Sequence, residues 1–326
     1  MIFFVVFNPD CFSPQHAQIV HYLADVKAFL ALNIKQTIFL VDNEGELLGI
    51  LKTHLIDFPD TGGGYRVKEI LIEYMKPGSS KFLPAFKTKA KWGDTLHNII
   101  RACETLQADG FMIAPTQVPV LNSWPIDCAR KAICLSNYMN CKFEEARART
   151  LERIQPHELS DTIFIRHISR ITMYALRLTF FDKFIGSSGS GVEKWFKGIE
   201  WVIKIWQQTV LQHVSHYEVS IVTCADPNRN DVKDVHDRIQ KELIEKLRIS
   251  FPSLSVVLRL KLSKAGEWHA RYLQVGGYCS VRFEKGFDIG PGKGLKGHEL
   301  QIEHKLPGDY LDRYLALPEF IHPGSE

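Results

Sequence analysis

The chain opens on an uninterrupted apolar run, Ile2–Phe7, which Asn8, Pro9 and Asp10 end abruptly. A run without polar alternation is typical of a strand that is buried on both faces of a parallel sheet. No basic segment precedes it, and it is too short for the apolar core of a signal peptide. We therefore predict that the chain begins with a buried strand.

Strand-like and helix-like segments alternate through the rest of the first half. We predict helices at 14–32, 94–103 and 126–153 and strands at 38–41 and 111–114, whereas 46–56 and 66–75 are periodic without a clear type. The basic stretch 76–91 has the composition of a loop. Alternation of this kind is typical of a parallel sheet with helices packed on its faces.

The second half, which follows a break at Gln155-Pro156, shows the same mixture. Helices are predicted at 160–169, 192–211, 231–247 and 308–315, and a β-rich run at 171–181 precedes strands at 218–224, 254–261, 269–273, 279–283 and 299–304. The predicted fold class is therefore α/β, with two domains, 1–155 and 156–326. Each domain should hold a mixed or mostly parallel sheet flanked by helices.

Composition excludes several classes of protein. Of the 326 residues, 45% are hydrophobic and none of the apolar runs approaches the ~20 residues that span a bilayer. The seven cysteines form no C-x-x-C pair, which favours a reducing, cytoplasmic location. The net charge of +3 permits a nucleic-acid or anionic-membrane partner without demanding one, and a membrane surface is the less favoured of the two.

In the second half, His269 and Arg271 are two residues apart on a predicted strand. Side chains alternate along a strand, so these two point to the same face. A fixed cation can hold a phosphate oxygen there while the imidazole acts as nucleophile or acid–base group. The alternative is a hydrogen-bonded histidine beside a surface cation.

This pair is preceded by the segment Ile171–Gly186 and followed by Gly286-Phe287-Asp288. Together with His269 and Arg271, these motifs resemble the divergent phospholipase D-like branch, which includes the C-terminal domain of MIT-domain proteins and bacterial relatives. Gly276 stands where the motif of that superfamily has an aspartate. The resemblance implies a metal-free catalytic set, and it implies a homodimer through this domain, because active members pair two histidines. That set comprises His269, Arg271, Asp288 as a substitute acid and Glu303 to orient the histidine.

In the first half, acidic residues lie at predicted strand and helix ends. Asp10 follows the first strand, Asp94 starts a helix and Asp109 precedes a strand. If these carboxylates converge on one rim of the sheet, they can bind Mg²⁺ or Mn²⁺ and activate water. Residues 1–120 resemble a PIN-like nuclease domain in this order of acids, although Gln117 replaces an expected acid. The alternative is that Asp94 simply favours a helix start.

Four lysines in the basic stretch are candidate contacts for nucleic acid. Cations interleaved with aromatic residues suit phosphate backbones and bases, whereas a solvated loop with tucked-in aromatic rings is the alternative. The four are Lys81, Lys87, Lys89 and Lys91.

Three functional hypotheses follow from these patterns. The first is a nuclease or other phosphodiester-processing enzyme acting on nucleic acid. Chains that combine a PIN-like domain with a divergent phospholipase D-like domain resemble bacterial conflict or phage-defence effectors. The second is a non-catalytic module that binds an anionic ligand, nucleic acid or acidic phospholipid. The third is a structural subunit of a larger assembly with a partner subunit.

Overall fold

A computed structural model shows an α/β fold that divides into two compact units, Met1–Leu151 and Glu152–Glu326. The α/β class predicted from the alternation of segments is thereby confirmed. Among the described residues, none of the helices has both the length and the apolar character needed to cross a bilayer. The structure describes residues 2–32, 36–87, 95–121, 126–136, 153–154, 159–187, 192–210, 217–263, 271–284, 286–292, 295, 299–304 and 310–322.

The first unit contains a five-stranded parallel sheet with helices between its strands. The strands are β1 (Phe3–Val6), β2 (Thr37–Asp42), β3 (Phe82–Phe86), β4 (Gly110–Ile113) and β5 (Ala132–Cys134). The helices are α1 (Tyr22–Leu32), α2 (Glu46–Ile56), α3 (Gly62–Met75), α4 (Thr95–Thr105), α5 (Val118–Leu121) and α6 (Ile126–Lys131). In space the strands lie in the order β3-β2-β1-β4-β5.

The predicted first strand is the centre of this sheet. β1 pairs in parallel with β2 on one side and with β4 on the other, and each of its residues is buried. Next to it, the ring of Phe7 packs against Phe12 and Phe39, with centroids 5.6 Å apart in both pairs. Burial on both faces explains why polar alternation is missing from this strand.

Three predictions in the first unit are wrong in detail. The helix expected from Pro14 begins at Tyr22, because His21 has a φ of 63°, a left-handed conformation that a helix cannot contain. Two short 3-10 turns, Pro9–Phe12 and His16–Gln18, precede it. Strands β3 and β5 lie where a loop and a continuous helix were predicted.

The second unit contains a seven-stranded mixed sheet. Its strands are β6 (Arg153–Ile154), β7 (Arg177–Asp182), β8 (Tyr217–Ala225), β9 (Leu254–Leu262), β10 (Arg271–Val275), β11 (Cys279–Phe283) and β12 (Leu300–His304), in the spatial order β6-β12-β11-β10-β7-β8-β9. β7, β8 and β9 are parallel to one another, and the remaining pairings are antiparallel. Its helices are α7 (Asp161–Thr172), α8 (Lys183–Ser187), α9 (Glu193–Thr209), α10 (Val232–Ile239), α11 (Glu245–Ser250) and α12 (Tyr310–Leu315).

Two helices cover much of the apolar surface in this unit. The rings of Phe164 on α7 and Trp201 on α9 stack with centroids 4.6 Å apart, and the indole N–H of Trp206 donates to the carbonyl of Ala175 at 3.0 Å. The apolar helix predicted near 192–211 is therefore a core helix. The β-rich run predicted at 171–181 is wrong at its start, since α7 continues to Thr172 and β7 begins at Arg177.

Candidate functional site

The carboxyl edge of the first sheet contains a cluster of polar side chains between β1 and β4. β2 and β3 lie on one side of β1, whereas β4 and β5 lie on the other side. The winding direction of the chain therefore reverses between β1 and β4. Open parallel sheets bind ligands in the crevice beyond the strand ends at such a reversal. The topology therefore marks this edge as the place where a ligand would bind.

Two amide side chains join the ends of β1 and β4. Nδ2 of Asn8 donates to the carbonyl of Met112 at 3.1 Å and to Oε1 of Gln117 at 2.8 Å. The same Oε1 accepts the backbone N–H of Ala114 at 2.9 Å. Asn8 is fully buried, and its Oδ1 accepts the backbone N–H of Asp10 at 3.1 Å. These bonds fix the turn that carries Asp10.

Asp10 lies at this edge with its carboxylate held by Gln117, whose Nε2 donates to Oδ2 at 3.1 Å. Burial raises the pKa of Asp10, although the charges of His54 and His16 and the Gln117 hydrogen bond act in the opposite direction. The carboxyl group therefore keeps its proton to a higher pH than a solvated aspartate. A raised pKa makes this carboxyl group a better candidate for a general acid than a solvated aspartate.

Two histidines flank Asp10, and their hydrogen bonds define which nitrogen carries the proton. Nδ1 of His54 contacts the carbonyl of Pro9 at 3.1 Å, and Nδ1 of His16 contacts the carbonyl of Asp10 at 2.9 Å. A carbonyl only accepts, so both Nδ1 atoms donate and Nε2 is the basic nitrogen of each neutral ring. In His16 that nitrogen lies 3.3 Å from the hydroxyl of Thr116, and the ring is buried. Half-buried His54 is the better placed base.

Asp42, at the end of β2 on the same edge, has a structural role. Its Oδ2 accepts the backbone N–H of Glu46 at 2.7 Å and its Oδ1 accepts that of Leu47 at 2.8 Å. The side chain is buried, so both oxygens are occupied in stabilising the first turn of α2.

The metal site predicted from Asp10, Asp94 and Asp109 does not assemble from the residues described. Asp109 precedes β4, and its Oδ2 accepts the backbone N–H of Phe4 at 2.8 Å, which places it at the amino edge, opposite Asp10. A residue before a parallel strand cannot reach the edge where that strand ends. Asp94 lies outside the described residues. Within the described part, neither Asp10 nor Asp109 belongs to a group of three neighbouring ligands.

The four lysines predicted to bind nucleic acid fall in different places. Lys81 precedes β3 at the amino edge and is buried, with Nζ donating to the carbonyl of Thr37 at 2.8 Å, so it is not a surface contact. Burial lowers its pKa to about 7. Lys87 follows β3 at the carboxyl edge and is exposed. Lys89 and Lys91 lie outside the described residues.

In the second unit, Arg271 lies beside a buried carboxylate. Arg271 on β10 pairs with Asp182 on β7, its guanidinium lies 4.4 Å from the ring centroid of Phe184, and its Nη1 donates to the carbonyl of Glu284 at 2.7 Å. Burial raises the pKa of Asp182, while the N–H of Phe184, the charge of Arg271 and the N–H of Phe287 act to lower it. The charge of Arg271 therefore stabilises the ionised form of the buried Asp182 carboxyl group, and the arginine side chain is also partly exposed to solvent.

The remaining members of the predicted second site are only partly described. His269 lies outside the described residues. Asp288 is exposed in the turn after Phe287. Glu303 lies on β12 opposite Ser280, and its side chain is outside the described part of the chain.

Sequence reasoning missed Asn8, His16 and His54 as members of the first site. Asn8 and Gln117 are 109 residues apart, and His54 meets Pro9 across 45 residues. Only the strand order brings them together, and no local pattern signals it. No known protein-family model matches the chain, and no curated protein is significantly similar to it.

Proposed function

We propose that the protein cleaves RNA at its phosphodiester bonds with the acid–base group formed by Asp10 and His54. The observation that carries the proposal is a half-buried carboxyl group, with its pKa raised by burial, close to a histidine whose Nε2 is its basic nitrogen, at the reversal point of a parallel sheet. Such sites favour general acid–base chemistry. Within the nuclease hypothesis, we therefore favour RNA as the substrate, because its 2′-hydroxyl group can serve as the nucleophile.

The proposed reaction is an internal transesterification. Nε2 of His54 takes the proton of a ribose 2′-hydroxyl, whose oxygen attacks the adjacent phosphorus. The bond from phosphorus to the 5′-oxygen breaks, and the carboxyl group of Asp10 donates its proton to that leaving oxygen. The products are a 2′,3′-cyclic phosphate and a 5′-hydroxyl, so no oxidant, metal or added water is consumed in this step.

Other features of the first unit support nucleic acid as the partner. Lys87 is an exposed cation at the same edge, two strands from β1, which corresponds to about 10 Å at the usual strand spacing. A phosphate next to the cleaved one would fall within that range. Among the described residues, Cys11, Cys134 and Cys224 are free thiols, which supports our proposal of a cytoplasmic location.

The test is cleavage of one sequence prepared as RNA, as DNA and as 2′-O-methyl RNA, each with Mg²⁺, with Mn²⁺ and with EDTA. We expect RNA alone to be cut, in EDTA as well as in Mg²⁺, with a cyclic phosphate on the product. Asp10→Asn and His54→Gln should each lower the rate about a hundredfold or more. The matched controls, Asp57→Asn and His97→Gln, change exposed residues of the same types in the same unit and should retain the rate.

Three results would overturn the proposal. Cleavage of DNA or of 2′-O-methyl RNA would show that the nucleophile is not the 2′-hydroxyl. Activity that requires metal and is lost in Asp94→Asn would instead support the carboxylate metal site predicted from the sequence. Absence of cleavage in every condition, with folded protein, would refute enzymatic function at this site.

A second candidate function is phosphate binding, without cleavage, by the second unit as a homodimer. The observation that favours it is Arg271, which is half-buried and held against Phe184 so that its guanidinium is fixed in direction. Fixed guanidinium groups suit phosphate oxygens. We expect Arg271→Lys to weaken binding of single-stranded RNA and to leave the RNA cleavage rate at saturating substrate unchanged. Light scattering that shows a monomer, or unchanged binding, would refute this candidate.

A further inference from the structure

Two histidines and one aspartate lie close together in the second unit, and all three are distant from Arg271 in the sequence. His236 and Asp237 are neighbours on α10, and His322 lies in the segment that follows α12. One potential ligand atom from each residue lies within 4.8 Å of the others. We propose that these three residues bind a divalent transition-metal ion of the Zn²⁺ class. This inference does not rest on the proposed cleavage of RNA.

The spacing of the ligand atoms fits such an ion. Oδ1 of Asp237 lies 3.1 Å from Nδ1 of His236 and 3.3 Å from Nε2 of His322. Bonds of about 2.0–2.1 Å in tetrahedral geometry separate neighbouring ligand atoms by about 3.3 Å. Both distances that involve the carboxylate therefore already match a bound state. Imidazole and carboxylate donors together suit Zn²⁺ and its first-row neighbours better than Ca²⁺ or Mg²⁺.

The segment that carries His322 is held in place by the edge of the sheet. The N–H of Leu262 donates to the carbonyl of Pro318, and the N–H of Phe320 donates to the carbonyl of Leu260, each at 2.8 Å. Lys261 also bonds Glu319 at 2.9 Å. The segment thus pairs antiparallel with β9 at its edge, and His322 lies two residues after Phe320. The position of His322 is therefore fixed by paired backbone before any ion binds.

The surroundings leave one side of the cluster open. The three residues line a depression of about 650 Å³ with Gln240, Glu319 and Phe320. The side chains of His236, His322 and Asp237 are 18%, 32% and 49% exposed, respectively. Three protein ligands with an open side leave room for water or a substrate atom.

The test is a titration of the full-length chain with Co²⁺ and Zn²⁺ after treatment with EDTA and removal of the chelator. We expect Co²⁺ to give the visible absorption of a four-coordinate ion and Zn²⁺ to displace it. His322→Ala, His236→Ala and Asp237→Asn should each remove one equivalent of binding, or weaken it by at least about a hundredfold. The control, His97→Ala, replaces an exposed histidine in the first unit and should retain that equivalent.

Thermal unfolding in EDTA distinguishes loss of ligands from loss of fold. His322→Ala changes a partly exposed residue, so its melting temperature in EDTA should equal that of the wild-type chain, while the rise on adding Zn²⁺ should disappear. If His322→Ala and His236→Ala bind the same number of equivalents as the wild-type chain with the same affinity, the proposal is wrong.

Discussion

At the scale of single residues, Lys81 differs most from what its position in a basic stretch suggests. The side chain is buried with its Nζ on the carbonyl of Thr37 and 5.5 Å from the ring centroid of Tyr74. Burial lowers its pKa from 10.5 to about 7. Between these values the unfolded chain keeps a proton that the folded chain has lost, so stability rises with pH across this window.

Replacing Lys81 by methionine should remove that pH dependence. Relative to Lys81→Met, the free energy of unfolding of the wild-type chain should increase by about 2 kcal/mol between pH 6 and pH 9. Urea unfolding of both proteins at each pH measures this, and the difference cancels other groups that titrate. Lys87→Met is the control, because its side chain is exposed; equal changes in the free energy of unfolding with pH in the two variants would contradict the prediction.

Gly286 and Gly292 provide a matched pair in the second unit. Both have left-handed backbones, with φ of 75° and 72°. A Cβ at Gly286 would lie 2.5 Å from Oδ2 of Asp182 and 3.2 Å from Cδ of Arg271, whereas one at Gly292 would meet nothing within 4 Å. The two positions share a left-handed backbone and differ in the space available for a side chain.

Alanine at each position should therefore have different effects on stability. Gly292→Ala should lower the free energy of unfolding by about 1 kcal/mol, which is the strain of a left-handed alanine. Gly286→Ala should lower it by about 1–2 kcal/mol more, since Asp182 and Arg271 must also move. Chemical denaturation monitored by tryptophan fluorescence measures both, and equal losses would show that the Asp182 contact does not constrain this turn.

The sequence placed Asp10 correctly after a buried strand, because the end of β1 is marked by an abrupt change from apolar to polar residues. It also placed Asp109 correctly before a strand, but in a parallel sheet that position lies at the amino edge, so Asp109 cannot join Asp10 at the carboxyl edge. It could not find Lys81, because a lysine among other lysines resembles a solvated one. Partners such as Asn8 and Gln117 depend on strand order alone.

At the scale of secondary structure, Asp42 links β2 to α2. Asp42→Ala should lower the free energy of unfolding by about 2 kcal/mol, because two N–H groups of the first turn lose their acceptor in a buried place. Asp42→Asn retains one acceptor and should cost about half as much. Asp57→Ala, at an exposed position after α2, should change stability by less than about 0.5 kcal/mol. If Asp42→Ala behaves like that control, the cap contributes nothing.

Several elements with a clear local pattern were predicted to within one or two residues, whereas the two edge strands of the first sheet were missed. β2, β8 and α9 have the lengths and residue types that local patterns identify, and their predicted bounds differ from the observed ones by one or two residues. β3 contains Pro84, which argues against a strand, yet it is the edge of the sheet, where a proline is tolerated. β5 has only three residues, too few for periodicity to show.

At the scale of the whole molecule, the α/β class followed from the alternation of segments, but the strand order did not. In both sheets an inner strand pairs on one side with a strand that does not follow it directly in the chain, and local sequence cannot reveal such a pairing. β1 lies between β2 and β4, and β7 lies between β8 and β10. The candidate site lies at the first of these places. The predicted site was therefore incomplete because its position depends on topology.

Net charge is also a property of the whole chain, and it is too small to hold a polyanion by itself. With 40 basic and 37 acidic side chains, the balance of +3 leaves affinity for RNA to local cations. Lys87→Gln should therefore weaken binding of single-stranded RNA and make the slope of log K against log salt shallower by about 0.7, the effect of one lost phosphate contact. Filter binding at several salt concentrations measures the slope.

Lys76→Gln is the matched control for that measurement. It changes the net charge by the same amount, from +3 to +2, but Lys76 follows α3 before β3 begins, at the opposite edge of the sheet, and pairs with Glu73. A shallower slope in Lys87→Gln alone would locate the RNA at the carboxyl edge, beside Asp10. Equal changes in both variants would mean that only the total charge matters, and RNA would then have no preferred edge on this unit.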